Sequence, residues 1–545
     1  MGTPATADTR MERDMSDEYG TSLRRRDFLV AGAAAGAGAA APALINHGAI
    51  ARAAKVPIAK GGKFKHGVSA GFPTHKAITL WTRVSELERT SKLTLEIARD
   101  KNFKKVVESR EVKAKKNQDF TVHERVGGLK PHKEYFYRFE TKNKKSRVGK
   151  FRTLPPPDSK TPIKIAYLSC QDWEAGYYNA HAALAKEDLD MILFLGDYIY
   201  ERRFYTGPQD RIDTLGVNGD GNAQTLDEYR SKYYQAQEDM DLQNMHAAHA
   251  FVSVWDDHEV EDNYAGDQPD SASTDPNNLE NNNETPRRVP YLERRKNGYK
   301  AFFESMPRIR YKGDKNRIYG QMRLGGLAEL FLTDQRQYRD LQPCDDVLLA
   351  GCADSDNPAR TLLGADQKAW FKNAVPSSSA KWKLWGSELM LMSLDLPQGN
   401  HVNQDAWDGY GAERREILEH FVNSGVSNLA TLVGDIHTFF AGDLTVNGQQ
   451  GGTPVGVELV GGSATSLGIP EALGVDPAFL ETVGRPANPH IKFFDVRNRG
   501  FAVVNVAENE LTAEFRTVDT FTRGATPVVS GRFQVASGVP TLNVA

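Results

Sequence analysis

The sequence predicts two consecutive domains, a β-sandwich over residues 63–153 and a larger layered domain of mixed α and β elements over residues 161–520. Three observations support this. The first segment contains about seven short runs of alternating, β-rich sequence. Three consecutive prolines, Pro155 to Pro157, then interrupt the chain, and prolines cannot continue a β-ladder. Beyond them, apolar runs of strand length alternate with helical patterns.

The first domain is predicted from its strands and from one corner of its sequence. The β-rich runs include His66–Ala70, Ile78–Arg83, Leu93–Ile97 and Tyr135–Phe139. The segment Gly128–Pro131, followed by Tyr135 and Tyr137, is similar to the tyrosine corner of fibronectin type III and immunoglobulin-like domains. This resemblance implies a fold and no chemistry.

The second domain is predicted from strands and helices that alternate along the chain. The strand-length apolar runs are Ile163–Leu168, Met191–Leu195, Phe251–Trp255, Leu327–Leu332, Asn428–Val433, Val455–Val460 and Phe501–Val506. Helical patterns cover Leu226–Ala248, Tyr291–Ser305, Ala365–Asn373 and Ala412–Val422. The polar segment Asp267–Arg288 lacks apolar periodicity and is predicted to be a long surface loop near the mouth of a site.

Residues 1–53 have the pattern of a twin-arginine signal peptide. Arg24–Leu29 reads RRRDFL and precedes an Ala/Gly-rich apolar stretch, Val30–Ile45, and Ala51–Ala53 offers a small-x-small cleavage site. A membrane anchor is the alternative, but the stretch is short and weakly apolar for a span of about 20 residues. We therefore expect export by the twin-arginine translocase to the periplasm or the extracellular space, with no stable membrane insertion after cleavage.

Charge and cysteine content narrow the function. The formal net charge is only −3, which gives no global attraction to nucleic acid, so a nucleic-acid-binding role is not expected. The chain has three cysteines, and an odd number in an oxidising compartment leaves one thiol to explain. Cys344 and Cys352 flank a short loop and are predicted to form a disulfide, which leaves Cys170 free. A buried structural role is the ordinary interpretation of a lone cysteine.

Polar, metal-competent residues follow five of the predicted strands. They are Cys170, Asp197 within Gly196–Glu201, the run Asp256–Glu259, Asp334 with Arg336, and Asp435 with His437. A single such residue is compatible with an ordinary turn. Five in one domain indicate a ligand site, because strand ends hold side chains rigidly at one sheet edge.

These side chains complement one another as ligands. Carboxylates can bridge two cations, imidazoles bind borderline metals, and thiolate with phenolate suits ferric iron. A two-metal centre with ions about 3.5–4 Å apart can lower the pKa of bound water and stabilise both the attacking and the leaving oxygen of a phosphoryl transfer.

The order of these motifs resembles a known family. Gly196–Glu201 is similar to the Asp-x-x-Tyr block of purple acid phosphatases, and Asp257–Glu259 to the Gly-Asn-His-Glu block of calcineurin-like metallophosphoesterases. The closer match, over nearly the whole chain after the signal, is the PhoD-like alkaline phosphatase/phosphodiesterase family. Its motifs here are His66–Gly71, Leu80–Arg83, Ser169–Gln171, Val254–Val260, Asp334–Arg339, Gly434–His437 and Asn488–Lys492.

The resemblance implies a β-sandwich joined to a four-layer metallophosphoesterase domain, with Fe³⁺ and Ca²⁺ as cofactors and phosphate esters as substrates. By matching position, Cys170 and Tyr200 would bind Fe³⁺ and Asp197 would bridge the metals. Asp435 and His437 would be ligands from the far strand. Asp257 stands where the wider superfamily has Asn, which favours a hard cation such as Ca²⁺.

Two further residues receive catalytic roles. His258 would protonate the leaving-group oxygen or stabilise the charge that develops there. Arg336 is expected to face the phosphate, with a structural ion pair to a carboxylate such as Asp334 as an equally supported alternative. The implied activity is an exported, metal-dependent phosphatase or phosphodiesterase that attacks with metal-bound hydroxide.

Other candidates are weaker. Ser463 lacks the strand–Gly-x-Ser-x-Gly elbow of a nucleophile, Glu388 and Asp395 are linked to glycosidase chemistry only by sequence spacing, and His246 and His249 are predicted on the solvent or packing side of a helix. The alternative functions are a phospholipase D-like phosphodiesterase with the same site and, from another class, a non-catalytic cell-wall or phosphate-ligand binding protein.

Overall fold

The computed structural model describes residues 56–208, 210–269, 287–346, 351–396, 400–401, 403–448, 452 and 454–545. The predicted signal peptide lies outside the described residues, as do residues 270–286 of the predicted surface loop. No helix among the described residues is long and apolar enough to cross a membrane.

The N-terminal segment forms strands throughout. Its strands are β1 (Val68–Gly71), β2 (Ile78–Arg83), β3 (Ser91–Ala98), β4 (Val106–Ala114), β5 (Thr121–Val126), β6 (Glu134–Glu140) and β7 (Gly149–Arg152). β3 and β6 alternate buried and half-exposed residues, as expected when one face of a strand covers a core. The Tyr135 hydroxyl accepts a hydrogen bond from the Lys130 backbone N–H at 2.9 Å, which is the contact that a tyrosine corner requires.

The rest of the chain alternates strands and helices. Its strands are β8 (Ile163–Leu168), β9 (Met191–Leu195), β10 (Ala250–Val254), β11 (Gly320–Leu324), β12 (Ala328–Leu332), β13 (Trp382–Ser387), β14 (Asp395–Leu396), β15 (Asn400–His401), β16 (Leu429–Val433), β17 (Phe439–Thr445), β18 (Pro454–Gly461), β19 (Ile491–Asp495), β20 (Gly500–Val506), β21 (Glu510–Thr517), β22 (Val528–Ala536) and β23 (Asn543–Val544). Its α-helices are α1 (Asn179–Leu184), α2 (Leu226–Glu238), α3 (Met240–Ala248), α4 (Tyr291–Ser305), α5 (Ala365–Ser377), α6 (Gly411–Asn423), α7 (Ile469–Leu473) and α8 (Pro477–Ala487).

Two large sheets form the centre of the fold. One has ten strands in the order β23-β22-β21-β20-β8-β9-β10-β1-β2-β5, and the other has seven in the order β11-β12-β13-β16-β18-β17-β19. Strands β8, β9 and β10 are mutually parallel, and so are β12, β13, β16 and β18. The chain therefore leaves each of these strands at the carboxyl edge of its sheet, where ligand sites of layered α/β proteins lie.

The two sheets pack face to face across an apolar core. Tyr167 of β8 is fully buried, and its hydroxyl donates to the Leu459 carbonyl of β18 at 2.7 Å. On the far side of the seven-stranded sheet, Phe371 of α5 and Phe421 of α6 pack with Trp385 of β13 in a second buried cluster. Helices α1 to α4 accompany the ten-stranded sheet. This arrangement is the predicted four-layer architecture.

The N-terminal strands differ from a free-standing sandwich. Strands β3, β4, β6 and β7 form a separate four-stranded sheet, but β1, β2 and β5 belong to the ten-stranded sheet, because β1 pairs in parallel with β10. The hydrophobic core is likewise continuous from Leu95 of β3 to Leu193 of β9. One sheet of the sandwich is thus an extension of the ten-stranded sheet.

The predicted helix Leu226–Ala248 is wrong in one respect, because the structure has two helices there. Asp239 interrupts the pattern with an extended backbone, and its side chain accepts from the N–H groups of Asp241 and Leu242 as the N-cap of α3. The predicted disulfide between Cys344 and Cys352 is confirmed, and Cys170 is free and buried.

Candidate metal centre

The candidate site begins where β8, β9 and β10 end. The Cys170 N–H donates to the Gly196 carbonyl at 3.1 Å, and the Gln171 N–H donates to the Asp197 carbonyl at 3.0 Å, so the first two turns are joined through their backbones. Gly196 has φ +96°, and a Cβ atom there would lie 2.3 Å from Asp256 Cβ. Only glycine therefore allows the turns after β9 and β10 to approach this closely.

Four of the predicted ligands have left-handed backbone conformations. The φ angles are 56° at Cys170, 57° at Asp197, 62° at Asp435 and 56° at His437. This region costs non-glycine residues conformational energy and persists where the surroundings impose it, most often at functional sites. Four such residues within one candidate site indicate that the surrounding structure imposes these conformations.

The first group of donors joins both sheets. The ligand atoms of Cys170, Asp197 and His437 lie within 4.8 Å of one another. The Tyr200 hydroxyl donates to Asp197 Oδ2 at 3.0 Å, lies 3.2 Å from His437 Nε2, and accepts from Ser466 Oγ at 2.7 Å. A thiol, a phenol, an imidazole and a carboxyl therefore converge on one point.

Two further groups extend the site along the sheet edge. Asp197, Asp257 and His258 form one, and Asp256, Asp257 and Asp435 form the other, again with ligand atoms within 4.8 Å. Asp197 is shared with the thiol group, and Asp257 is shared between the other two. Shared carboxylates at these positions are what a two-cation centre needs, because each oxygen can bind a different ion.

Glu259 fixes this geometry, a role that sequence reasoning missed. Its carboxylate is fully buried and accepts from the backbone N–H groups of Asp197 at 3.0 Å, Tyr198 at 2.7 Å and Asp256 at 2.8 Å. One side chain therefore holds the turns after β9 and β10 together. The quoted run Asp256–Glu259 contained the residue but gave no indication of these partners.

His258 is paired with a second carboxylate that sequence reasoning did not assign. His258 Nδ1 lies 2.7 Å from Glu201 Oε2, and both side chains are buried. Burial lowers the pKa of His258, but the neighbouring carboxylates, Asp257 first among them, outweigh burial and raise the pKa well above the usual value. For Glu201 the directions are reversed: burial raises the pKa of the carboxyl, but the nearby His258 outweighs burial and lowers the pKa to about 2. The two shifts agree in direction, because each group favours the charged form of the other.

Arg336 lies inside the site and is completely buried. Its guanidinium contacts four carboxylates: Asp256, Asp257 at 3.3 Å, Asp405 at 2.7 Å and Asp435 at 3.2 Å. These contacts fit the alternative interpretation, a structural ion pair with a carboxylate, although Asp334 itself accepts the Arg336 backbone N–H at 3.2 Å instead of pairing with the guanidinium. A phosphate-facing role for Arg336 stays a prediction.

The electrostatics of the donors fit a bound cation. Burial raises the pKa values of the Cys170 thiol, the Asp197 carboxyl and the Tyr200 phenol well above their usual values, and for the thiol and the phenol the nearby Asp197 adds to the effect. Buried anions are stable only when they are paired or coordinate a metal. Asp256 Oδ2 is also buried without a hydrogen-bond partner. Metal ions would satisfy these groups together.

The structure brings all eight predicted site residues to this one edge: His258, Arg336, Cys170, Asp197, Tyr200, Asp257, Asp435 and His437. Asp405, which holds both Arg336 and Arg339, was not predicted. It comes from the loop after β15, and nothing in its local sequence marks it as part of the site.

The weaker candidates have other surroundings. Ser463 is buried, and its hydroxyl donates to the Ser466 carbonyl at 2.6 Å within a turn. His246 and His249 are both buried, so the packing side of the helix is the correct alternative. Glu388 is buried near Asp256 and Arg336, whereas Asp395 lies 2.5 Å from His401 in a separate cluster.

Comparisons with known proteins agree with this geometry. Residues 165–515 match the family model described as PhoD-like phosphatase, and residues 50–155 match the PhoD-like phosphatase N-terminal domain. Alkaline phosphatase D of Bacillus subtilis (strain 168) is 34% identical over 473 residues, which cover 84% of this chain and 77% of that protein.

Two solved structures are similar over most of the chain. The structure of PhoD has a TM-score of 0.78 at 30% identity and covers 90% of this chain and 93% of its own. The purple acid phosphatase from yellow lupin (Lupinus luteus) seeds has a TM-score of 0.52 at 11% identity over 86% and 73% of the two chains, which shows a shared fold alone. The chain therefore belongs to the PhoD-like phosphatase family, and it is a phosphoric ester hydrolase with a metallophosphoesterase fold.

Proposed function

We propose that the protein is an exported phosphatase or phosphodiesterase whose centre holds Fe³⁺ and Ca²⁺. The observation that carries the proposal is the convergence of three overlapping donor groups on one sheet edge, with Asp197 shared between the first two. The ions, when bound, would lower the pKa of a water molecule and stabilise the attacking and leaving oxygens of the ester.

The donor types support a division between the two ions. Cys170, Tyr200, Asp197 and His437 offer sulfur, phenolic oxygen, carboxylate and imidazole ligands, a set that suits Fe³⁺. The other group, Asp256, Asp257 and Asp435, offers carboxylate oxygens alone, and Ca²⁺ prefers oxygen ligands. On this proposal Asp257 and Asp435 would hold Ca²⁺, and Asp197, which belongs to two of the donor groups, would contribute to holding both ions.

His258 is the proposed general acid. Its Nδ1 is hydrogen-bonded to Glu201, so Nε2 is the ring nitrogen that can face the ester. His258 Nε2 lies 3.9 Å from Asp257 Oδ2. Neighbouring carboxylates, Asp257 and Glu201 first among them, outweigh burial and raise the pKa of this imidazole, and a protonated imidazole can donate to the leaving-group oxygen as the P–O bond breaks. Arg336 is proposed to orient the phosphate or the carboxylates that bind the ions.

The test is hydrolysis of p-nitrophenyl phosphate and bis(p-nitrophenyl) phosphate by purified protein, with iron and calcium measured in the same sample. EGTA should abolish activity and added Ca²⁺ should restore it, because the proposed carboxylate ligands prefer a hard cation such as Ca²⁺. Asp435→Asn should remove calcium and lower activity roughly 100-fold. Asp443→Asn, which changes a carboxylate paired with Lys492 outside the site, is the matched control.

Full activity in excess chelator with no calcium bound would contradict the calcium assignment. Hydrolysis of neither ester under any metal condition would favour the non-catalytic binding protein, and hydrolysis of phospholipid headgroups alone would favour the phospholipase D-like alternative. The two chromogenic esters therefore separate the proposed activity from a binding protein, and a phospholipid substrate in the same assay separates it from the phospholipase D-like activity.

Export and the two-domain division are part of the same proposal. The three prolines Pro155–Pro157 support a domain boundary between residues 63–153 and residues 161–520.

The RRRDFL segment at Arg24–Leu29 supports export of the folded, metal-loaded protein by the twin-arginine pathway to the periplasm or the extracellular space. Replacing Arg24 and Arg25 with Lys should retain the full-length protein inside the cell. Unchanged export of that variant would exclude the twin-arginine route.

A further inference from the structure

Two adjacent aromatic rings, Phe204 and Tyr205, lie over the metal centre in the loop after β9. Both residues are half-buried. Their ring centroids are 4.9 Å apart, and each is 6.2 Å from the ring of Tyr200. Tyr200 and His258 are buried. Phe204 and Tyr205 are therefore an aromatic surface at the site that solvent, and hence a substrate, can reach.

Each ring contacts one of the two imidazoles of the site. The Phe204 ring lies edge to face with His258 at a centroid distance of 5.0 Å and an interplanar angle of 79°. Tyr205 has the same relation to His437 at 6.0 Å and 71°, and its hydroxyl lies 3.4 Å from His437 Nδ1. The aromatic wall formed by Phe204 and Tyr205 thus extends from His258, the proposed general acid, to His437, a proposed iron ligand.

Phe204 is also held from outside the centre. The Arg202 guanidinium lies 4.4 Å from the Phe204 ring centroid, and its Nη2 donates to Asp262 Oδ2 at 2.6 Å. A cation over an aromatic face stabilises the ring in that position. The Phe204 ring is therefore placed before any substrate binds.

This placement decides what a leaving group contacts. A leaving-group oxygen that accepts a proton from His258 must come within hydrogen-bond distance of that imidazole. The carbon atoms attached to the oxygen then lie beside the accessible neighbours of His258, which are the Phe204 ring and the Asp262 carboxylate, 3.9 Å from His258 Nε2. An aromatic ring on the alcohol would meet an aromatic wall there, and offset or edge-on aromatic pairs are favourable beyond their buried area.

We propose that Phe204 and Tyr205 form a leaving-group subsite that selects phosphate esters whose alcohol carries an aromatic ring. The inference rests on the proposed function, since it uses His258 as the group that faces the leaving oxygen. Phe204 acts as a specificity residue and takes no part in the chemical step.

The test measures binding of two non-hydrolysable phosphonates, benzylphosphonate and methylphosphonate, to the metal-loaded enzyme by calorimetry. Neither ligand has a leaving group that can depart, so reactivity does not enter. Phe204→Ala should raise the Kd of benzylphosphonate roughly three- to tenfold and leave the Kd of methylphosphonate unchanged. Phe204→Leu, which keeps apolar bulk without the ring, should show the same selective loss.

The control is Phe103→Ala in the loop between β3 and β4. Phe103 is half-buried under the Arg138 guanidinium at 3.9 Å, so it repeats the Arg202–Phe204 pair outside the site. This variant should bind both phosphonates as the wild type does.

An unchanged ratio of the two Kd values in both Phe204 variants would overturn the inference. An equal weakening of both ligands, or a loss of metal from both variants, would also overturn it and would make the wall a cover for the metal centre. Hydrolysis of no phosphate ester by the wild type would instead remove the proposed function, and the calorimetric ratio is independent of that result.

Discussion

The proposed role of Tyr200 as an iron ligand can be tested by the colour of the purified enzyme. A site of carboxylates and imidazoles with Ca²⁺, Mg²⁺ or Zn²⁺ is colourless, whereas Fe³⁺ bound by phenolate or thiolate absorbs visible light through charge transfer. We predict that the purified enzyme is coloured, and that Tyr200→Phe shifts or bleaches the band and lowers the iron content. Absorption spectroscopy with metal analysis measures both.

Tyr198→Phe is the matched control, because Tyr198 is equally buried two residues away and its hydroxyl contacts His246 at 2.9 Å instead of the centre. Its spectrum and iron content should equal those of the wild type. An iron-replete wild type without a visible band would remove both Cys170 and Tyr200 from the iron site, and an unchanged spectrum and iron content in Tyr200→Phe would remove Tyr200.

His258→Ala is predicted to lower kcat by about 10²–10⁴-fold and to change KM far less, as expected for loss of a general acid. The loss should be largest for alkyl phosphates and smallest for p-nitrophenyl phosphate, because poor leaving groups depend most on protonation. A series of phosphate esters with graded leaving-group pKa measures this dependence.

Glu201→Gln gives a second measurement on the same pair. Glu201 is a positioning residue that keeps His258 Nδ1 occupied at 2.7 Å, and removing its charge lowers the pKa of the imidazole. The alkaline limb of the pH profile of kcat should therefore move to lower pH in this variant.

For His258→Ala, equal losses of activity toward esters with good and poor leaving groups would assign His258 to metal binding or packing.

At the residue scale, the sequence predicted the candidate metal ligands but not the carboxylates that hold His258 and Arg336 in position. Cys170, Asp197, Asp257, Asp435 and His437 follow strands directly, and the ends of parallel strands meet at one edge, so local position is enough to group them. Glu201 and Asp405 act through contacts with residues 57 and 69 positions away. No local pattern encodes such a pairing, because it depends on how loops cross the finished sheet.

Among the elements, the disulfide loop is connected to the centre through two short contacts. Asp346, inside the Cys344–Cys352 loop, accepts from Asn263 Nδ2 at 2.8 Å, and the Asn263 N–H donates to Asp257 Oδ2 at 2.8 Å. We predict that the double variant Cys344→Ser/Cys352→Ser binds Ca²⁺ more weakly than the wild type, because Asn263 loses its support. Calcium titration of activity measures the shift.

Asp346→Asn is the control that separates the loop from its carboxylate. It keeps the disulfide and changes only the acceptor of Asn263, so its calcium affinity should fall between those of the wild type and the double variant. An unchanged calcium dependence in the double variant would show that the loop is independent of the site.

Strands were predicted more accurately than their partners in the sheet. The apolar runs Ile163–Leu168 and Met191–Leu195 match β8 and β9 residue for residue, since buried parallel strands are continuously apolar. The pattern of Leu226–Ala248 continues through Asp239, and the break there is decided by side-chain capping that periodicity does not detect. Strands β17 and β19, which close one edge of the seven-stranded sheet, were not predicted.

For the whole molecule, the unexpected feature is that the first and second segments share a sheet. Ala70 and Gly71 of β1 pair with Ala250 and Phe251 of β10, across about 180 residues of sequence. Each strand alone has an ordinary β pattern, so the sequence indicates that both exist but not that they are neighbours. His246 reinforces this joint, because its Nδ1 lies 3.0 Å from Ser69 Oγ and its Nε2 lies 2.9 Å from the Tyr198 hydroxyl.

Buried histidines make the stability of the protein depend on pH. Burial is the main reason that the pKa values of His66, His181 and His246 are each lowered to about 3. In the unfolded chain a histidine has a pKa of about 6.5, so between about pH 6.5 and 3 the unfolded state binds more protons than the folded state. Stability contributed by the neutral imidazoles is present above pH 6.5 and is lost as the pH falls through this window.

We therefore predict that each of these buried histidines contributes about 2 kcal/mol less to stability at pH 5 than above pH 6.5. His246→Gln should be less stable than the wild type at pH 8, because a glutamine amide cannot bridge Ser69 and Tyr198 as the ring does. Its Tm should nevertheless fall less steeply with acid, since one titrating group is gone.

His132→Gln, at a histidine whose side chain is 39% exposed, is the control and should keep the wild-type slope of Tm against pH. Calorimetric scans of the three proteins from pH 8 to pH 5 measure the slopes, and equal slopes for the wild type and His246→Gln would show that His246 is not buried neutral at the joint.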